Sequence, residues 1–228
     1  MTPQLIRPEI TCSVAVSLDG RIDGRCSQPL RLSSAVDFAA VDELRASQDA
    51  ILVGAGTLRR DNPRLIIKED LHRQRRLQKG QRPDPIKVTL TCSGNLAPEL
   101  DFFRAGEAGR IVYCPALISD QLGAKLQPWA EVISCPGSQV DPEFLLRDLY
   151  RLGIHSLLVE GGQHVHSLFI EAGLVDRLRV AIAPFFIGDK GAPGFVNDGC
   201  FPFSSKQPLR LESVENLGGT AVLWYRAA

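Results

Sequence analysis

Two short apolar runs that end in glycine limit the folds open to this chain. Ala50-Ile51-Leu52-Val53 passes into Gly54-Ala55-Gly56-Thr57, and Ser156-Leu157-Leu158-Val159 passes into Glu160-Gly161-Gly162. Apolar residues in unbroken sequence fit a strand buried on both faces, as in a parallel sheet covered by helices. Each run also follows a helical pattern. Phe38, Val41 and Leu44 recur at helical spacing behind Ser34 and Asp37, which fit a capping box, so residues 34–47 are expected to form an amphipathic helix. Asp141, Pro142 and Gly153 have the cap, first-turn and terminator positions of a second helix. Helix leading directly into strand is one crossover of a parallel sheet.

The rest of the chain extends the alternation. Thr11–Ser17 is β-compatible and breaks at the Asp19-Gly20 turn, and further strand-like runs occupy Ile86–Thr91, Arg110–Cys114, Glu131–Cys135 and Val175–Ala183. A helix is expected over Gln163–Ala172 with Gly173 just past its end. Leu209–Glu215 and Thr220–Arg226 should pair as a hairpin around Asn216–Gly219. Residues 68–85, polar and basic, read as an exposed loop or a short surface helix. No repeat or linker divides the sequence. The expectation is an α/β fold over residues 1–228: one domain, a mostly parallel central sheet flanked by helices, and an antiparallel C-terminal hairpin.

Charge and cysteine usage narrow the function. Lys plus Arg and Asp plus Glu each number 26 among 228 residues, so the chain lacks the cation surplus that nucleic-acid binding requires. The six cysteines form no CxxC pair and are expected to be buried, reduced thiols. His164 and His166 stand two apart on the expected helix and face different ways, so no metal site is expected. Met1–Pro8 has no apolar core for a signal peptide, and Val180–Ile187 is too short to span a membrane; a cytoplasmic protein is expected.

Ligands of open α/β sheets bind beyond the carboxyl ends of the strands. Both glycine-bearing strand ends therefore offer bare backbone, and the second leads into a helix whose N–H groups and dipole favour an anion. A tight turn is the competing explanation for glycine after a strand. Neither segment reads GxGxxG, and GxxxxGKS/T is absent, which disfavours Rossmann and P-loop chemistry. Glu160, delivered by a strand to the sheet's edge, can bind a polyol, an amide or a cation; it can equally stabilise the helix start after it. Asp61-Asn62-Pro63 is a favourable turn sequence, and Arg45 falls where a cation complements a helix dipole.

In order along the chain, Ser17-Leu18-Asp19-Gly20-Arg21-Ile22, Leu44-Arg45-Ala46, Asp49 to Thr57, Asp61-Asn62-Pro63-Arg64-Leu65, Leu158-Val159-Glu160-Gly161-Gly162, Leu174-Val175-Asp176 and Ala183-Pro184 resemble the C-terminal reductase domain of the riboflavin-biosynthesis deaminase/reductase family. The resemblance spans about residues 10–200 and is expected to mark a standalone form lacking the deaminase domain. It implies a dihydrofolate-reductase-like fold, a homodimer, and NADPH-dependent reduction of 5-amino-6-(5-phosphoribosylamino)uracil, or its diamino-pyrimidinone precursor, to the ribitylamino product. By the same resemblance Glu160 and Asp61 are the catalytic candidates. Val16, Arg31, Thr57, Asp61, Cys92, Gly161, Gly162, Gln163, His164, Val165, His166, Ser167 and Leu168 would contact the cofactor. Arg45, Leu65, Lys68 and Glu160 would hold the substrate, the cations facing its 5-phosphate.

The chain departs from the family pattern at three places. Ser13 stands where bacterial members carry a Lys implicated in ring opening, Arg31 where an aromatic is common, and Thr91-Cys92 where Asp-Ser is frequent. Two other readings stay open at this stage: an NADPH-dependent reductase of another small substrate such as a pterin, and a non-catalytic NADP-binding or interaction protein on the same scaffold.

Overall fold

The computed structural model describes residues 6–24 and 30–227. In chain order the elements are β1 (Glu9–Ser17), α1 (Ala35–Ala46), β2 (Ala50–Gly54), α2 (Ala55–Asp61), α3 (Asp70–Gln78), β3 (Ile86–Leu90), α4 (Asp101–Arg104), β4 (Arg110–Pro115), α5 (Ala116–Leu126), β5 (Glu131–Cys135), α6 (Pro142–Arg151), β6 (Ser156–Gly161), α7 (Gln163–Glu171), β7 (Arg177–Ala183), β8 (Arg210–Leu217) and β9 (Thr220–Arg226). The fold is α/β, with mostly parallel strands and antiparallel C-terminal strands, as expected. Among the described residues no helix is long and apolar enough to cross a membrane.

The chain divides into two compact units, residues 1–9 with 43–157 and residues 10–42 with 158–228. In the first, the strands run β5–β4–β3–β2, and every neighbouring pair is parallel. β2 is buried along its whole length, as its unbroken apolar run requires. Leu52, Leu58, Val88, Phe102, Val112 and Leu146 pack in this unit's interior. Asp141 caps α6 by accepting from the Glu143 amide at 3.0 Å, with Pro142 opening the helix as its sequence indicates.

In the second unit the order is β6–β1–β7–β9–β8, where Glu9 of β1 and the first two residues of β6 belong to the other unit. β1 pairs β7 in parallel, while β7 with β9 and β9 with β8 are antiparallel. The hairpin closes through Gly218 (φ 63°) and Gly219 (φ 88°), a two-residue turn in which both positions need the left-handed region. Gly173 (φ 66°) ends the turn after α7, where its position predicted it.

Three expectations are corrected. α1 forms, but its apolar stripe does not set its buried face: Phe38 is 44% exposed, whereas Asp37 and Asp42 are buried. The cause is Arg179, buried on β7, which takes the Asp37 carboxylate as its partner. A buried guanidinium without a counter-charge is far more costly than an exposed phenyl ring. The capping box is accordingly half made. The Asp37 amide donates to Ser34 Oγ at 3.1 Å, while the Asp37 side chain turns to Arg179. The basic stretch folds as α3, the short surface helix that was one of its two readings, with Arg76 alone buried in it and donating to the Ala46, Gln48 and Arg82 carbonyls. Finally, Cys12, Cys114 and Cys135 are buried free thiols, but Cys92 and Cys200 are exposed; Cys26 lies outside the described residues.

Candidate functional site

In the first unit two of the candidate residues, Thr57 and Asp61, belong to α2, the helix that follows β2. Gly54 is the N-cap residue of this seven-residue helix and no side chain caps it. Thr57 therefore sits inside the first turn, half-buried, and does not begin the helix. Asp61 is its exposed last residue, and Asn62 follows in the left-handed region at φ 42°. Arg45, half-buried, lies in the last turn of α1. Leu65 is buried with φ 49°, and Lys68 is exposed. Cys92 follows β3 on the surface, its Sγ donating to Gln139 Oε1 at 3.3 Å.

The turn from Asn62 to Ile67 is tied down at several points. Asn62 Oδ1 accepts from the Asp101 amide at 2.7 Å, and the Ile67 amide donates to Asp84 Oδ1 at 2.9 Å. Lys87, buried on β3, donates to the Arg64 carbonyl at 2.5 Å. Sequence reasoning missed Lys87 and Asp84. The available signal was a cation inside the otherwise apolar or small run Ile86-Lys87-Val88, with a carboxylate three residues earlier.

In the second unit Glu160 is the half-buried penultimate residue of β6. Gly161 is buried at φ 115°, the Gly161–Gly162 peptide is cis, and Gly162 is the N-cap residue of α7, where no side chain caps the helix. Several α7 side chains are engaged within the protein. Gln163 Nε2 donates to the Val196 carbonyl at 2.9 Å, and His164, exposed, meets Asn197 Nδ2 at 2.8 Å. Ser167 Oγ donates to the Gln163 carbonyl and accepts from the Asn197 amide. Val165 and His166 are buried and Leu168 half-buried. Both His166 ring nitrogens lack a hydrogen-bond partner among the described residues, and burial pulls the imidazole down to about 4, leaving it neutral at pH 7.

Val16 lies buried on β1, opposite Ile182 of β7. Arg31 is exposed, its guanidinium 5.7 Å from the centre of the Phe38 ring. Asp19 does more than make a turn. It accepts from the Ser17 hydroxyl and from the Ile187 and Gly188 amides, fastening the end of β1 to the segment after β7. These bonds hold its carboxyl well below the usual range. Of the candidates, then, Arg45, Thr57, Asp61, Leu65, Lys68 and Cys92 fall in the first unit, and Val16, Arg31 and Glu160–Leu168 in the second.

The family model of the RibD C-terminal domain matches residues 8–223. The chain belongs to that family. Its relatives include the 2,5-diamino-6-ribosylamino-4(3H)-pyrimidinone 5′-phosphate reductase of Archaeoglobus fulgidus, 34% identical over 93% of this chain and 95% of the relative. The reductase of that name from Methanothermobacter thermautotrophicus is 28% identical over 96% and 98%. Among solved structures, a pyrimidine reductase-like protein from Corynebacterium diphtheriae superimposes with a TM-score of 0.78 at 25% identity, over 97% of this chain and 92% of that one. A deaminase/5-amino-6-(5-phosphoribosylamino)uracil reductase from Thermotoga maritima gives 0.77 at 27%, with 57% of its length covered. RibD C-terminal domain membership thus agrees with the segments that carried the sequence resemblance.

Proposed function

We propose that the chain, acting as one reductase domain, reduces 2,5-diamino-6-ribosylamino-4(3H)-pyrimidinone 5′-phosphate, or its deaminated uracil counterpart, to the ribitylamino product with NADPH. The observation that carries the reading is the match to relatives of this named activity over nearly the full length of both chains. The residues present fit such a cofactor. Gly161 and Gly162 lead into α7, whose N-terminal amides and dipole suit the phosphates of such a cofactor, and the His166 ring holds position 161 to glycine, since its Nε2 would stand 2.8 Å from a Cβ there.

NADPH supplies a hydride to C1′ of the opened ribose. The work left to the chain is to bind and orient. Backbone from Gly161 to Leu168 would take the cofactor's phosphates, with Val16, Arg31, Thr57, Asp61 and Cys92 as further contacts. Arg45 and Lys68 are the cations for the substrate's 5-phosphate, Arg45 through a bidentate fork. Glu160 would accept from the sugar hydroxyls or hold positive charge at the reacting nitrogen, with Leu65 against the base.

The same reading includes a cytoplasmic homodimer. Among the described residues β8 ends its unit's strand order with one edge unpaired, and Leu211 (50%) and Val214 (62%) are exposed on it. Such an edge invites a second copy. Light scattering at micromolar concentration tests this; a monomer throughout would count against it.

Complementation tests the activity. The gene should restore growth to a riboflavin auxotroph lacking this reductase, and its Glu160→Gln form should not. Failure of the expressed, folded wild-type protein to rescue growth would contradict the reading.

A further inference from the structure

Lys87 is wholly buried, yet the hydrogen-bond partners of its ammonium are not the carboxylates it would ordinarily take. Its Nζ donates to three backbone carbonyls: Arg64 at 2.5 Å, Ala105 at 2.6 Å and Phe102 at 3.3 Å. Arg110, in register with Lys87 on the adjacent strand, donates to the same Phe102 and Ala105 carbonyls at 3.3 and 3.0 Å. The bond to Arg64 is therefore the one that Lys87 makes without Arg110.

Arg64 belongs to a turn whose backbone needs holding. Asn62 (φ 42°) and Leu65 (φ 49°) both occupy the left-handed region without being glycine, and Leu65 is buried. A bulky side chain in that region persists only where its surroundings over-determine it. Here Asn62 is tied to the Asp101 amide, Ile67 to Asp84, and Arg64 to Lys87.

We infer that Lys87 is a positioning residue for the pyrimidine substrate: by anchoring the Arg64 carbonyl it fixes the turn that presents Leu65 and Lys68. The inference rests on the assignment of that turn to the substrate under the proposed function. Lys87 touches neither reactant. Its charge is sensitive to alkali, because burial and Arg110 bring its proton affinity down to about 8 against the opposing pull of Asp84 and Asp101. Deprotonation removes one of three donors where three carbonyls wait.

Lys87→Met keeps the stem and removes every donor. Steady-state kinetics should show the KM for the pyrimidine raised about 10- to 100-fold, with the KM for NADPH moving less than about threefold. Hydrogen–deuterium exchange should speed up at residues 64–67 more than elsewhere. In the wild type the pyrimidine KM should rise as pH passes 8, and Lys87→Met should lose that limb. Asn62→Ala, which cuts a second tether of the same turn, should raise the same KM if Lys87→Met does not fold.

An unchanged pyrimidine KM in folded Lys87→Met overturns the inference, as does exchange that accelerates evenly through the protein. If the wild type turns over no ribosylaminopyrimidine, the proposed function fails. The exchange experiment then still decides whether Lys87 holds the turn, and unchanged protection at 64–67 refutes it.

Discussion

A Cβ placed on Gly161 would stand 2.8 Å from Nε2 of His166, closer than real Cβ contacts come. The backbone at 161 also has φ 115°, which L side chains rarely adopt. Gly161→Ala should therefore destabilise the protein by about 1–3 kcal/mol and weaken NADPH binding by at least about tenfold. Denaturant unfolding and a fluorescence titration read the two effects. A stable Gly161→Ala protein with wild-type affinity would separate this glycine from the cofactor.

His166 sets an acid limit on stability. Burial lowers its proton affinity from 6.5 to about 4. Below pH 6.5 the unfolded chain takes up a proton that the folded one refuses until about pH 4. Stability is thus complete above 6.5 and declines as pH falls through that window, by on the order of 3 kcal/mol at its full extent. His166→Leu should flatten the decline measured by urea unfolding at pH 7 and pH 5. An equally steep decline in the variant would assign it to other groups.

The buried pair Asp37–Arg179 should behave as a unit. Asp37→Ala leaves a guanidinium in the interior without a counter-charge and should cost about 3–5 kcal/mol. Adding Arg179→Met should recover much of the loss, because the uncompensated charge then goes too. Additive losses in the double variant would show that the pair is not coupled.

The strands were legible because burial on both faces leaves an unbroken apolar run, as in Ile51–Val53 and Leu157–Val159. α6 and α7 were legible because Asp141, Pro142 and Gly173 carry local backbone chemistry. The orientation of α1 was not. Phe38, Val41 and Leu44 state a periodicity, but Arg179, 142 residues from Asp37, decides which face turns inward. α5 passed unread, since Ala116–Leu126 carries no side-chain cap that a sequence would display. At the site, the glycines and Glu160 announced themselves by standing directly after apolar runs. Lys87 and Asp84 did not, because in the turn they hold main-chain groups, the Arg64 carbonyl and the Ile67 amide, which no side-chain pattern displays.

Glu160→Gln separates chemistry from architecture. The amide keeps the size of a half-buried side chain and removes its charge. The kcat/KM for the pyrimidine should fall about 100-fold, with the melting temperature unchanged. Retention of full activity would remove Glu160 from the reaction.

The most direct measurement follows NADPH absorbance after the purified protein is mixed with 2,5-diamino-6-ribosylamino-4(3H)-pyrimidinone 5′-phosphate and, separately, with the deaminated uracil. Stoichiometric NADPH oxidation and a ribitylamino product are expected with at least one of the two. NADPH left unconsumed by folded protein with both compounds would contradict the proposed activity.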